Sequence, residues 1–513
     1  MRKYQFLILF LLVAAAFVLR LWHIDFGLPE LYHPDERIAT DEIGRFVDGD
    51  FSVKRYNHPP LIKYAAYAGL TAVTLIKGYS PEEQKARITL FMRFVSLLSG
   101  TAIVAVLFFA ARAFLSFYQS ILCCALYTFI PMNIFLSKYG APDALLSFFF
   151  LLAVLLQIRM LTHYTKGIAV LNGLFFLLAV AAKYNAVFLV IPFTFAHFIA
   201  VRRAGQRLWS SFSVVRLLLF CAGSFAGCFI GFITLFLGDW KYLFGALQYE
   251  RQHLFAKGHY GLTITGWDYF YCFHFIRSIL PETGLLFTAG IFGGIIILLA
   301  KKNPAAYLLL LAIVPYYVVV ESVYKVPVVY QRYILPLMGL YCISCCLFFD
   351  WVSGVVGQRL KADKTQVFSV LLILVMMLPA YKSVRYLSDM YPDTRMQMKS
   401  YLKENVPAGK RLLIEWPGAG YYPYLFDRYR IVTKPQLRLL SNADYVLASS
   451  LMYDRYFDYP DELPEKTHFY KFLFQNAELI YIAKPEYETY LIHNPELRLY
   501  ATQNKRTQNA RQK

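Results

Sequence analysis

The stretch ITLFMRFVSLLSGTAIVAVLFFAA, Ile88 to Ala111, decides how this chain is read. Its 24 residues carry one charge, Arg93, and Arg112 closes the run. A predominantly apolar run of about 18 or more residues is long enough, as a helix, to cross a bilayer. Such runs recur, and the spans expected are 4–22, 88–111, 118–137, 143–158, 167–182, 185–201, 213–237, 282–300, 304–321, 330–350 and 366–385. They stop near Leu387. The chain therefore divides into a membrane part, 1–387, and a soluble tail, 388–513. Composition agrees: 58% of the residues are hydrophobic and only 17% are charged, against about 25% charged in average soluble domains.

The charge pattern sets sidedness. The net charge of +19 does not read as nucleic-acid binding, because much of it sits in short loops between spans, as topology signals do. With a cytoplasmic N-terminus, the inside loops hold Arg112; Arg159 and Lys166; Arg202, Arg203, Arg207 and Arg216; Lys301 and Lys302; and Arg359, Lys361 and Lys364. The short apolar segment 61–76, interrupted by Lys63, would reverse every later cluster if it crossed. It is therefore expected to lie flat or re-entrant, leaving about eleven crossings. The N-terminal run, with Arg2 and Lys3 ahead of it, is read as an uncleaved first span. The loop 23–87, the turns at Tyr139–Asp143 and Glu321–Arg332, the Gly238–Leu280 loop and the tail then share the extracytoplasmic face. The expected place is a cell (inner) membrane, with the tail outside.

The unusual polar residues collect on that face. Tyr32-His33-Pro34-Asp35-Glu36-Arg37 puts two adjacent carboxylates just outside the first span, suited to a general base or a metal ligand, or to capping a helix that starts at Pro34. In Tyr56-Asn57-His58-Pro59-Pro60-Leu61-Ile62-Lys63, His58 and Lys63 suit a phosphate, or an interfacial helix start with a snorkelling lysine. Asp143 opens a span after Pro142 and reads as an N-cap or as an active-site acid. Lys183, in Lys183-Tyr184-Asn185, and Arg332, in Tyr330-Gln331-Arg332-Tyr333, are snorkelling anchors or phosphate ligands. Glu250-Arg251-Gln252-His253 and Lys257-Gly258-His259 form a solvated loop helix or a carrier contact, with Arg251 as the cation of choice. The histidine spacing fits no familiar zinc site, so no metal ligand is assigned.

The eight cysteines show no metal or disulfide spacing and read as apolar packing residues. The tail reads as α/β, with strands at Arg411–Ile414, Tyr445–Ala448 and Leu479–Ile482 and a helix over Met396–Glu404. No phosphate-binding glycine motif follows a strand.

Several motifs, in order, resemble the GT-C glycosyltransferases, specifically the protein O-mannosyltransferase and aminoarabinose transferase group (glycosyltransferase family 39-like) and a bacterial subgroup of it. They are Leu19-Arg20-Leu21-Trp22 leading to His33-Pro34-Asp35-Glu36; His58-Pro59-Pro60-Leu61; Arg93-x-x-Ser96; Pro142-Asp143-Ala144; Lys183-Tyr184-Asn185; and Arg332-Tyr333-x-x-Pro336. The resemblance covers about residues 15–350. It implies a polytopic α-helical GT-C fold with a small extracytoplasmic α/β domain. It also implies transfer of a sugar from a polyprenyl-phosphate donor to a lipid, glycan or protein acceptor, with Asp35 in the place of the essential aspartate, His58 beside the donor phosphate and Asp143 lining the cavity. Aminoarabinose transferases have Glu-Lys-Pro-Pro where this chain has Asn57-His58-Pro59-Pro60. The departure speaks against a lipid A acceptor and a metal held by that Glu.

On this reading Asp35 is the base, with Glu36 and Asp143 beside it. His58, Lys63, Lys183, Arg251 or Arg332 hold the phosphate. No cofactor is required, a divalent metal remains an option, and no nucleic acid takes part. The competing classes are a lipid-linked-glycan flippase or transporter, which should carry ionisable residues at mid-membrane, and a non-catalytic membrane scaffold.

Overall fold

The structure is a computed structural model that describes residues 3–74, 81–258, 262–325, 330–415, 418, 423–433, 435–440 and 442–502. The membrane part contains α1 (Lys3–Leu21), α2 (Pro34–Val47), α3 (Leu61–Thr74), α4 (Pro81–Ala111), α5 (Phe117–Thr128), α6 (Pro131–Phe135), α7 (Asp143–Met160) and α8 (Lys166–Ala182). It continues with α9 (Val190–Arg203), α10 (Ser211–Gly231), α11 (Trp240–Gln252), α12 (Leu280–Lys301), α13 (Pro304–Ser322), α14 (Met338–Leu360) and α15 (Lys364–Ser388). Among the described residues nine helical segments are long and apolar enough to cross a membrane, and α8 is a shorter apolar helix of 17 residues.

Two expected spans come out differently. The stretch 118–137 is broken into α5 and α6, because Pro131 has no N–H and its ring opposes the carbonyl four residues back. That carbonyl, on Tyr127, instead accepts from Asn133 Nδ2 at 2.8 Å. The Phe129 carbonyl accepts from Ser383 Oγ at 2.8 Å, and Met132 N donates to Glu282 at 3.0 Å. A helix break at membrane depth needs such internal partners. The span placed at 330–350 begins later. Tyr330–Tyr333 and Leu335–Leu337 are single 3₁₀ turns, and the helix proper runs from Met338 to Leu360. Segment 61–76 is α3, whose 14 residues span about 21 Å at 1.5 Å per residue, less than the ~30 Å hydrocarbon core. Residues 75 and 76 lie outside the described residues.

Small residues bring α8 and α10 together. A Cβ on Gly173 would lie 2.0 Å from the Phe220 carbonyl, and one on Gly223 would lie 2.0 Å from that of Val170. Backbone approach of this kind is how apolar helices gain contact without a hydrophobic driving force between them. Five of the cysteines, at 123, 124, 342, 345 and 346, are buried as expected; Cys221 is exposed and Cys228 and Cys272 are half-buried.

The bundle has two chemically distinct ends. Arg112, Arg159, Arg203 and Asn303 border one recess, and Lys301 and Lys364 border another. The basic loops are thus gathered at one end. Asp143 opens α7 at the other end, 18 residues away, or about 27 Å.

The tail docks on the Asp143 end. It contains α16 (Thr394–Asn405), β1 (Arg411–Ile414), α17 (Pro423–Arg428), β2 (Arg430–Val432), α18 (Leu437–Leu440), β3 (Tyr445–Ser449), α19 (Ser450–Asp458), α20 (Pro464–Asn476), β4 (Glu478–Ala483) and β5 (Leu497–Ala501). The three expected strands are β1, β3 and β4, joined by the unexpected β2 and β5 in the order β2-β1-β3-β5-β4. β1 pairs in parallel with β2 and β3, while β5 runs antiparallel to both β3 and β4. Alternation sends Leu412 and Ile414 to one apolar layer and Leu413 to the other. The expected helix over 396–404 is α16. A strap before β5 enters the membrane part, where His493 packs between Phe26, Phe135 and Tyr139, with ring centroids 4.4, 5.2 and 5.3 Å away. Arg395 lies over the Tyr32 ring at 3.9 Å, and Lys399 pairs with Glu30.

Candidate active site

Pro34 starts α2, as its fixed φ favours. His33 caps that helix by accepting from Asp35 N at 3.2 Å through Nδ1. The two carboxylates that follow point in different directions. Asp35 enters a cleft of about 220 Å³, which His58, Asp143, Lys183, Glu250 and Arg332 also line. Glu36 turns inward and is fully buried.

Asp35 Oδ2 accepts from Arg332 Nη1 at 2.8 Å, with 23% and 19% of the two side chains exposed. Burial alone would raise the carboxyl's pKa; His58, Arg332 and His33 overcome that and hold it well below the usual carboxylate range. Across the cleft Lys183 donates to Asp143 Oδ1 at 2.8 Å, and its ammonium lies 4.6 Å from the Tyr333 ring centroid. Asp143 is the first helical residue of α7 rather than its cap; Pro142 holds that place. His58 is half-buried and makes no hydrogen bond among the described residues. Burial lowers its imidazole below the ordinary value against the pull of Asp35. Arg332 keeps a buried Nε with no hydrogen-bond partner. The cleft therefore holds three carboxylates, of which Asp35 and Asp143 are each paired with one cation, and unspent donor capacity.

Other expected site residues lie elsewhere. Glu36 takes Arg93 in a two-pronged pair, both bonds at 2.8 Å, and accepts from Gly140 N at 2.7 Å. Arg93 also donates to the Ile24 and Phe26 carbonyls at 2.7 Å, and Ser96 donates to the Ala141 carbonyl at 2.9 Å. This node ties α2, α4 and the turn before α7 together. Lys63 is likewise buried, paired with Glu42, and donates to the Arg55 carbonyl at 3.2 Å. Glu42 also accepts from Lys54 N and Arg55 N at 3.0 Å, so the pair holds the 50–56 loop. Lys63 and Glu36 are not among the residues that line the cleft.

Arg251 is exposed on α11 and does not line the cleft, whereas Tyr249, Glu250 and His253 do. Helical spacing separates them: 249 and 250 lie four and three residues before 253 and share its face. Burial raises the Glu250 carboxyl against Lys183 and Arg332. His259 lies outside the described residues. Among the described residues no group of three or more His, Cys, Asp or Glu could hold a metal ion.

No family model matches the sequence, and no curated protein matches it. Solved structures do. The aminoarabinose transferase ArnT from Cupriavidus metallidurans, bound to undecaprenyl phosphate, superposes with a TM-score of 0.53 at 13% identity, over 97% of this chain and 98% of that one. Its apo form gives a TM-score of 0.51 at 14% identity, over 96% and 97%. The apo oligosaccharyltransferase of Archaeoglobus fulgidus gives 0.50 at 12% identity, over 89% of this chain and 71% of that one. Agreement along nearly the whole chain, tail included, places this polytopic helical protein with its small C-terminal α/β domain in the GT-C fold.

Proposed function

We propose that this chain transfers a sugar from a polyprenyl-phosphate carrier to an acceptor hydroxyl on the extracytoplasmic side, with inversion at the anomeric carbon. One observation carries the reading: Asp35 and Arg332 form a partly exposed pair in a cleft at the end opposite the basic loops. By the positive-inside tendency the basic end is cytoplasmic. The similar ArnT structure holds undecaprenyl phosphate, which supports that ligand class here.

The residues divide the work as follows. Arg332 offers its free Nε to a phosphate oxygen, and His58 and Lys183 line the same cleft. As Arg332 turns toward the phosphate, its grip on Asp35 loosens and the carboxylate becomes a better base. The acceptor oxygen attacks C1, the bond from C1 to the phosphate oxygen breaks, and the acceptor proton passes to Asp35. The leaving polyprenyl phosphate takes the electron pair, and its new charge is met by Arg332, Lys183 and His58. The energy resides in the sugar–phosphate bond of the donor. Asp143 keeps Lys183 in place.

The test is sugar transfer by the purified protein. Extracted lipid-linked sugars and glycolipid acceptors would be supplied in detergent and products read by mass spectrometry, beside glycan profiles of cells with and without the gene. Carrier-dependent transfer that vanishes in Asp35→Asn is expected. Movement of the carrier across vesicles without transfer would replace the enzyme with a flippase.

A further inference from the structure

The basic end of the bundle contains more than topology signals. The ends of α4, α7 and α9 and the start of α13 enclose a recess of about 390 Å³. Three arginines from three different places in the chain border it: Arg112 just after α4, Arg159 in the last turn of α7 and Arg203 at the end of α9. Its apolar walls include Phe109, Ile158 and Leu161, and no carboxylate is among its lining residues. Two of the arginines are fixed by the backbone, since Arg112 Nη1 donates to the Leu115 carbonyl at 2.5 Å and Arg203 Nη1 to that of Leu161 at 2.6 Å. Arg159 is exposed and its side chain makes no hydrogen bond or ion pair among the described residues. Scattered loop charge would satisfy the positive-inside tendency. It does not require three guanidinium groups to converge on one recess with apolar walls.

The depth of the recess is marked by aromatic residues. Trp209, in the loop that follows Arg203, is 87% exposed, and Tyr118 at the start of α5 is 54% exposed. Exposed Trp and Tyr at the end of an apolar bundle belong at the headgroup level. An occupant at that depth meets guanidinium donors and hydrocarbon walls together. A free anion uses only the first; a phospholipid uses both.

We propose that this recess binds the phosphate headgroup of an anionic phospholipid in the leaflet opposite the cleft, with Arg159 as the group that reaches the phosphate and the other two arginines shaping the site. Basic pockets between membrane helices take anionic headgroups by this chemistry.

The full-length protein in neutral detergent would be titrated with phosphatidylglycerol, with phosphatidylcholine and with inorganic phosphate, and bound lipid counted by native mass spectrometry. Phosphatidylglycerol should be retained over phosphatidylcholine. Arg159→Gln should weaken its retention about five-fold, the size of one arginine's attraction to an anionic headgroup. Arg159→Lys should keep most of it. Lys166→Gln, which lowers the charge of the same face outside the recess, should leave retention unchanged. Equal retention of the two lipids overturns the proposal, and that comparison on the unaltered protein stands even if a variant fails to fold. An equal loss in Arg159→Gln and Lys166→Gln reduces it to diffuse charge. Displacement of phosphatidylglycerol by millimolar inorganic phosphate assigns the recess to a free anion instead.

Discussion

Asp35 and Glu36 are neighbours in the chain and opposites in the molecule. Asp35 faces the cleft, is 23% exposed, and meets Arg332 through one hydrogen bond. Glu36 faces the bundle interior, is fully buried, and meets Arg93 through two, with Gly140 N as a third donor. The first pair has room for a guest and a partner with an unused donor. The second has most of its bonding capacity spent, four of the five N–H donors of Arg93 included. The lesson is that charge in a sequence motif says little about role; the fraction of its bonding capacity already consumed says much more.

Four substitutions would sharpen or break that contrast. Asp35→Asn should lower kcat about 10²–10⁴-fold, the usual contribution of a positioned base, with only the small loss of stability expected of a partly exposed ion pair; full turnover removes Asp35 from the chemistry. Glu36→Gln should do the reverse. Removing one partner of a buried pair costs about 3–5 kcal/mol, so thermal unfolding in detergent should move sharply downward, and unchanged stability would contradict the structural role. Arg332→Gln should lower kcat/KM about 10²-fold, the effect of losing one donor to a developing charge, measured at saturating acceptor. Glu250→Gln should have the smallest effect. A deprotonated Glu250 repels the donor phosphate, and burial places its titration above the ordinary carboxylate range. The donor KM should therefore fall as pH drops through that range, and the Gln variant should lower KM about two- to five-fold at higher pH, the size of a weak surface-charge interaction, and flatten the dependence. A steeper pH dependence in the variant would defeat this.

Asp35 behaves differently with pH. Its folded value lies below its unfolded one, so its pair with Arg332 stabilises the folded protein above the normal carboxylate range and is lost only as pH falls through that lowered value. In the free protein Asp35 therefore stays ionised in mild acid.

Much of the bundle was legible because apolar runs and loop charge are strong, local signals. The broken helix at Pro131 was not marked as a break, since hydropathy averages over a proline that the structure accommodates with Asn133, Ser383 and Glu282. In the tail, β2 has only three residues and β5 carries Arg498 as its second residue, which hid both. In the cleft, motif order brought Asp35, His58, Asp143, Lys183 and Arg332 to notice, and the structure assembles all five. Lys63 and Glu36 went to other partners because Glu42 and Arg93 sit 21 and 57 residues away in sequence, beyond any local pattern. Arg251 was preferred over Glu250 on charge, where the helical face of α11 was the better guide.

The strap at His493 bears on how this protein could be dissected. Both nitrogens of its imidazole are buried and without hydrogen-bond partners, and the ring is wedged by Phe26, Phe135 and Tyr139, the last of which also packs 4.6 Å from His33 at the head of α2. A shortened chain ending at residue 388 would leave a notch of bare aromatic rings directly beneath the turn that aims Asp35. Amputating the globular end would thus unseat the aspartate's own platform, and the smallest working version of this molecule reaches at least to β5.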